Sequence, residues 1–477
     1  VFRICAVILG VAPVLITEMC LRLVHWHPAL PPNDPFIEFE STRPLFVLDD
    51  ETETMVTATN RLEYFRPESF AADKPLNEYR IVCIGGSTVQ GRPYAIETSF
   101  TTWLELSLRA ADPSRNWDVI NCGGVSYASY RLVPIVEEML QHEPDLIVLY
   151  TGHNEFLEDR HYLDINGSST WITRLLSQLN RLRSAQLVQQ LIGSRHSSID
   201  AIKDKPMLVA EVDALLDYQG GLESYQRDPE WRGAVVSHFG YNMRRMIQMV
   251  DNANVPLLLI DPPVNLRDCP PFKSVPTEQI STEQRMSVVR LVADAADLPD
   301  SQRKRAIGLL EQAVAIDPAN AGTHFLLATL LDRSEQFADA KYHFERSLDE
   351  DICPLRITSP LRGVIRDLVV ETDTPLIEIR SRFEELSTGT IPGKRLFVDH
   401  VHPTFYGHQL IAEKLMQHLQ VSGVIEPIDN WQTKRDAMYE QHWSSLDVLY
   451  FERGKQRLEG LQLWSQGRAD KIRETEL

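Results

Sequence analysis

Five short apolar runs, at residues 80–84, 117–121, 146–150, 256–260 and 375–377, alternate with stretches whose apolar residues recur at helical spacing. Each run is only as long as a buried strand and is rich in β-branched or leucine side chains, as strands covered on both faces require. The intervening stretches read Phe100, Trp103, Leu104, Leu108; then Leu132, Ile135, Val136, Met139, Leu140; then Phe239, Met243, Met246, Ile247, Val250. Such alternation predicts an α/β chain with a doubly wound parallel sheet between two helical layers. In that architecture, chemistry gathers in the crevice at the carboxyl ends of the strands.

The remaining stretches do not follow the alternation. Residues 1–27 contain an uncharged apolar run from Ile4 to Ile16 flanked by Arg3 and Arg22, which is expected to be a single N-terminal membrane anchor with the bulk of the chain extracytoplasmic. A cleaved signal peptide is the alternative, although no small-x-small site follows before the His25 to Pro32 region. Residues 28–78, rich in proline and polar groups, read as a juxtamembrane stalk. Residues 160–226 read as a long, mostly helical insertion after the third strand. The segment "RAIGLLEQAVAIDPANAGTHFLLATLLDRSEQFADAKYHFERSLDED" resembles a tetratricopeptide repeat through Ala306, Leu310, Ala313 and Pro318, then Phe325, Leu327, Ala328, Phe337, Ala340 and Phe344. So short an array must pack on its neighbours, and the resemblance implies a surface for a protein partner. The expected organisation is an α/β domain in two parts, 79–280 and 352–420, interrupted by a helical insertion at 281–351 and followed by a helical region at 421–477.

The chain has 477 residues and 43% hydrophobic content, ample for a large core, and 48 basic against 67 acidic residues give a net charge of −19. That balance repels polyanions, so nucleic acid is not an expected partner. Of the six cysteines, Cys5 and Cys20 fall in the anchor, and Cys83 and Cys122 fall in or beside strand-like runs as small hydrophobes. Cys269 and Cys353, each followed by proline, are left as a candidate bridge across the insertion.

The first strand ends in "YRIVCIGGSTVQG", where Gly85 and Gly86 permit a tight strand-to-helix turn that presents the Ser87 hydroxyl at the sheet edge. The third ends in "YTGHNEF", placing the Asn154 amide at the same edge. After the fifth comes "FVDHVHPTFYGHQLIAEKL", with Asp399 three residues before His402 and a helix expected from Thr404. A carboxylate at that spacing can hold Nδ1–H of the imidazole and leave Nε2 to accept the serine proton.

Together these residues resemble the SGNH, or GDSL-like, hydrolase superfamily, over roughly residues 79–160, 227–265 and 370–420. The resemblance implies a flavodoxin-like three-layer fold, Ser87 as nucleophile, His402 as general base and acid, Asp399 as its orienting carboxylate, and an oxyanion hole of Asn154 and the Ser87 N–H. It implies a further backbone N–H after the second strand, where "NCGGVSYASY" offers Ser126, five residues past Asn121, or Gly124. Gly86 stands where the family's name has Asp, and Glu155 where its third block usually has Asp. His153, His400 and His408 are expected to be supporting or surface residues, and the group Asp399, His400, His402 lacks further ligands at metal spacing, so neither metal nor cofactor is expected. The implied activity is hydrolysis of an O-acyl ester, with an envelope glycan or lipid as candidate substrate. O-acyl transfer to a polysaccharide and a non-catalytic scaffold are the alternatives.

Overall fold

The computed structural model describes residues 12–13, 16–21, 34, 36–160, 162, 207–217 and 221–466. Most of the expected anchor and most of the 160–226 insertion lie outside the described residues. Among the described residues no helix is long and apolar enough to cross a membrane. The chain divides into two compact units, Val1–Ser41 with Arg160–Glu211, and Thr42–Asp159 with Val212–Leu477. In the first, Glu38–Phe39 pairs in parallel with Met207–Leu208.

The second unit opens with an antiparallel sheet of β1 (Phe46–Asp49), β2 (Thr54–Thr57) and β3 (Ser69–Ala71). Its main sheet is parallel and consists of β4 (Glu78–Gly85), β5 (Asn116–Gly123), β6 (Leu146–Tyr150), β7 (Leu257–Ile260) and β8 (Leu376–Ile377), in the spatial order β8–β7–β6–β4–β5. Because β5 lies on one side of β4 and β6 on the other, the chain reverses its winding at β4. That reversal opens a crevice at the carboxyl end of β4.

Strand alternation sends Ile81 and Cys83 to one face, where α2 (Phe100–Ala111) and α11 (Phe405–Val421) bury Trp103, Leu104, Ile411 and Leu415 against the sheet. Val82 and Ile84, also fully buried, point to the other face, on the side where α3 (Ser129–Met139) and α4 (Pro229–Asn252) pack together. Each such large apolar side chain contributes about 1.5–3 kcal/mol through burial. Five strands between two helical layers is the doubly wound arrangement that the alternation predicts.

Residues 281–351 form α5 (Thr282–Ala296), α6 (Arg303–Ile316), α7 (Ala321–Arg333) and α8 (Phe337–Asp349). A capping box of Ser281 and Gln284 starts α5. Ala328 and Ala340 are fully buried, and Phe325 meets Phe344 edge-on at 5.4 Å, so small residues let α7 and α8 approach while aromatics fill the groove. After α9 (Ser359–Thr372) and α10 (Ile379–Glu385), α11 is followed by α12 (Trp431–Ser445) and α13 (Val448–Ser465). The α12 residue Tyr439 donates to the Trp103 carbonyl of α2 at 2.8 Å.

Two expectations are corrected here. The stretch read as a stalk at 28–78 is not a spacer beyond Thr42: Phe46, Phe65 and Phe70 are buried, and Val125 N–H donates to the Tyr64 carbonyl at 2.9 Å. Its strands are too short and turn-rich to show periodicity, and long-range contacts hold them. Cys269 and Cys353 are free, buried thiols. The Cys269 thiol faces the Pro270 carbonyl at 3.5 Å while the Cys353 thiol faces Tyr225, so each has its own partner instead of the other.

Strand β5 is the sheet edge, and its outward N–H groups are met by carboxylates: Asn121 N–H donates to Glu68 at 3.1 Å, and Val119 N–H to Glu105 at 3.2 Å. Burial, with the charges of Asp118 and Glu105 added, pushes the Glu68 carboxyl up to about 8 against the hydrogen bonds it accepts. A carboxyl raised in the folded state stabilises the fold fully below its unfolded value near 4.5 and loses that contribution as pH rises through about 8. Glu68→Gln, which keeps a carbonyl acceptor without the charge, is therefore expected to melt a few degrees above wild type at high pH, with the gap closing toward acid. Thermal unfolding across that range checks this, and a variant less stable than wild type at alkaline pH would contradict it.

Candidate active site

The turn from β4 into the short helix α1 (Ser87–Gln90) leaves no room for side chains. A Cβ on Gly85 would lie 2.1 Å from the Tyr150 carbonyl oxygen of β6, and one on Gly123 would lie 2.2 Å from the Gln90 nitrogen of α1. Asn121 braces the turn by donating to the Val89 carbonyl at 2.7 Å and to Thr101 at 2.9 Å. Ser87 is thereby held at the carboxyl end of β4, where the winding reverses.

His402 Nε2 lies 2.7 Å from Ser87 Oγ, and His402 Nδ1 lies 2.6 Å from Asp399 Oδ2. The other Asp399 oxygen accepts the Val401 and His402 N–H groups at 2.9 and 2.8 Å. Asn265 fastens the same loop, donating its side chain to the Asp399 carbonyl and its N–H to the His400 carbonyl. Helix α11 then begins with Thr404 as its cap, as the sequence predicts. Burial alone would raise Asp399, but the neighbouring His402 and His400 and the hydrogen bonds it accepts hold it well below the usual carboxylate range.

Asn154 follows β6 through Gly152, whose φ of +122° lies in the region only glycine adopts freely. Its side-chain nitrogen donates to the Tyr127 carbonyl at 3.0 Å, which leaves the second amide hydrogen for another acceptor. The two residues considered after the second strand separate. Gly124 N–H donates to the Gly85 carbonyl at 2.9 Å and closes the sheet ladder, so it is not available to an oxyanion. The chain leaves the ladder at Val125, whose N–H donates to the Tyr64 carbonyl, and the next residue, Ser126, sits in the left-handed region at φ +63° with an N–H that has no acceptor among the described residues. Ser87, His402 and Asp399 are thus joined by hydrogen bonds, the Asn154 amide lies beside Gly86, and Ser126 follows the neighbouring strand β5, while Gly124 is structural.

Three more histidines surround this group. His153 Nδ1 accepts the Ile357 N–H at 3.2 Å, and burial followed by the fields of His400 and His402 keeps it neutral. His400 lies edge-on to Phe272 and is lowered to about 4 by burial; His408 accepts the Phe100 N–H and is lowered to about 3 by burial. All three are buried, which corrects the surface alternative for them. Asp399, His400 and His402 bring one potential ligand atom each within 4.8 Å of one another. Both His402 nitrogens are already committed, to Ser87 and to Asp399, so His402 itself has no spare nitrogen for a metal. The sequence reading missed the role of Glu155: its buried carboxylate accepts the Ser129 N–H at 2.8 Å and the Ser129 hydroxyl at 2.9 Å, pinning the start of α3 against the Asn154 turn. Its position directly after Asn154 was the available signal.

No protein-family model matches the chain, and no curated protein sequence matches it. Among solved structures it is similar to a lipase/acylhydrolase from Enterococcus faecalis, at 12% identity over 74% of this chain and 99% of that one, with a TM-score of 0.33. It is also similar to a putative lipolytic protein of the G-D-S-L family from Desulfitobacterium hafniense, at 9% identity over 72% and 98%, TM-score 0.31. An acetylxylan esterase from Geobacillus stearothermophilus gives 12% identity over 72% and 94%, TM-score 0.32. At this identity and TM-score the likenesses assign no chemistry to the chain, which is left to the geometry above.

A Cβ on Gly86 would lie 2.8 Å from the Asn154 side-chain nitrogen, the movable end of a side chain, not backbone. Gly86→Ala is accordingly expected to displace the Asn154 amide with little change in melting temperature. A crystal structure of the variant with Asn154 unmoved would contradict this.

Proposed function

We propose that the protein is a serine esterase of the SGNH type that hydrolyses O-acyl esters. The observation that carries this reading is the continuous hydrogen-bonded line from Ser87 through His402 to Asp399, with both links at 2.7 Å or shorter. Ser87 Oγ attacks the acyl carbonyl carbon as its proton passes to His402 Nε2. Asp399, held ionised, keeps the Nδ1–H tautomer and stabilises the imidazolium that forms. The carbonyl oxygen, now an oxyanion, accepts from the Ser87 and Ser126 N–H groups and the free Asn154 amide hydrogen. Breaking the ester C–O bond releases the alcohol with the proton from His402, and a water activated by His402 then frees the acid and restores Ser87.

The reading is supported by the neutral state of His153 and His400, which leaves the imidazolium at His402 without competing positive charge. A glycan or lipid as the alcohol part of the ester is also proposed, on the strength of the expected extracytoplasmic anchor alone.

Ser87→Ala and His402→Ala are each expected to lower kcat by about 10⁴-fold or more, with the double variant little worse than either. Asn154→Ala should lose about 10² to 10³ in kcat with KM nearly unchanged, the usual loss for one oxyanion donor. A fluorophosphonate should label wild type and not Ser87→Ala. Labelling or turnover that persists in folded Ser87→Ala protein would refute the nucleophile.

A further inference from the structure

Within a chain of net charge −19, Arg457 bonds to the segment that follows the candidate nucleophile, and Arg66 and Arg92 lie close enough to it and to each other to feel one another's charge. Arg92 is five residues past Ser87, and its N–H donates to the Ser87 carbonyl at 3.1 Å. Arg66 comes from the loop that precedes β3, and Arg457 comes from α13. Helix α13 reaches this place because it packs very closely on the loop: a Cβ on Gly454 would lie 2.1 Å from the Tyr94 ring. Tyr450 of the same helix takes the Ala95 N–H at 3.2 Å and lies 2.7 Å from the Thr98 hydroxyl. One guanidinium nitrogen of Arg457 donates to the Tyr94 carbonyl at 2.7 Å and to the Pro93 carbonyl at 3.5 Å, which leaves the other two nitrogens as donors.

Arg66 and Arg92 have no such anchor. Among the described residues neither guanidinium makes an ion pair or a hydrogen bond, and the Nε atom of each is buried without a partner. All three side chains are half-buried, so solvent reaches them only in part. Burial and the adjacent Arg66 and Arg457 charges lower Arg92 to about 10, while the charge of Asp399 opposes this. Burial and the Arg457 charge lower Arg66 as well, opposed by Glu97 and Tyr450. Neither acid neutralises the group: Asp399 is engaged by His402, and exposed Glu97 forms no ion pair with Arg66. Like charges held together and partly desolvated are costly unless a counter-charge arrives. Planar guanidinium forks are suited to oxyanions, which they bind through paired charge-assisted hydrogen bonds.

We propose that Arg66, Arg92 and Arg457 form a cradle for an oxyanion carried by the substrate, so that the preferred esters are acidic ones, bearing a carboxylate, sulfate or phosphate beside the scissile acyl group. This rests on the esterase reading for its connection to turnover, and the binding it requires is measurable without turnover.

The test titrates Ser87→Ala full-length protein with methyl glucuronoside, with methyl glucoside 6-sulfate and 6-phosphate, and with neutral methyl glucoside, by calorimetry or protein-observed NMR. At least one acidic glycoside is expected to bind tenfold or more tighter than the neutral one, and which of them does separates carboxylate from sulfate or phosphate. The preference should weaken with added salt. Arg66→Gln and Arg457→Gln in the same background should each reduce it severalfold, with Arg66→Lys retaining part of it and melting temperatures confirming folded protein. Equal or undetectable binding of acidic and neutral glycosides, or a preference that survives in the folded Arg66→Gln/Arg457→Gln double variant, overturns the cradle. Wild-type turnover of the mono-O-acetyl forms is measured alongside. Charge-selective binding without turnover of any ester would sink the esterase reading and leave the cradle, whereas turnover indifferent to charge would do the reverse.

Discussion

The absence of side chains at Gly85 and Gly123, on adjacent strand ends, is the constraint on which the rest of this structure depends. Gly85 presses on the β6 backbone and Gly123 on the backbone of α1, at separations that a Cβ could not share without moving main chain. Only because these contacts are backbone to backbone can β4 end abruptly and turn into α1 at the point where the winding of the sheet reverses. Ser87 is delivered there with its hydroxyl and N–H in place, and Asn121 secures the turn from the neighbouring strand.

The site is rich in groups that burial would silence, and one is kept charged. His153, His400 and His408 are driven toward neutrality chiefly by desolvation, as expected for buried imidazoles. Asp399 is held ionised instead by the neighbouring His402 and His400 and by the two backbone N–H groups and the imidazole that donate to it. Glu68 and Asp118, beside or on β5, are pushed upward by burial and by neighbouring carboxylates, so similar acids behave oppositely according to the charges and donors that face them.

Segments remote in sequence complete the surroundings of the nucleophile. The connection between β2 and β3 contributes Phe65, which packs on Tyr127 at 4.8 Å, and Tyr64, whose carbonyl accepts from Gln90 of α1 at 2.8 Å. The far C-terminal helix packs against the loop after Ser87 through Gly454 and Tyr450. Rigidity at the reacting groups therefore comes from both ends of the chain, as a site that must hold its geometry requires.

The sequence by itself determined the alternation of strands and helices, and with it the parallel sheet, because buried strands and amphipathic helices each impose a local period. It also singled out Ser87, Asn154, Asp399 and His402, since each follows a strand end and Asp399 and His402 share one short loop. Tertiary structure alone decided the remainder. Which N–H after the second strand is spare depends on where the β4–β5 ladder stops, and it stops on Gly124, leaving Ser126. The fate of Cys269 and Cys353 depends on which neighbours their thiols meet. The stretch from Thr42 to 78 has too little periodicity to declare itself and is ordered by contacts with β5 and α1. Arg66, Arg92 and Arg457 are spread over almost four hundred residues, and charges so far apart in sequence become one electrostatic group only when the chain has folded.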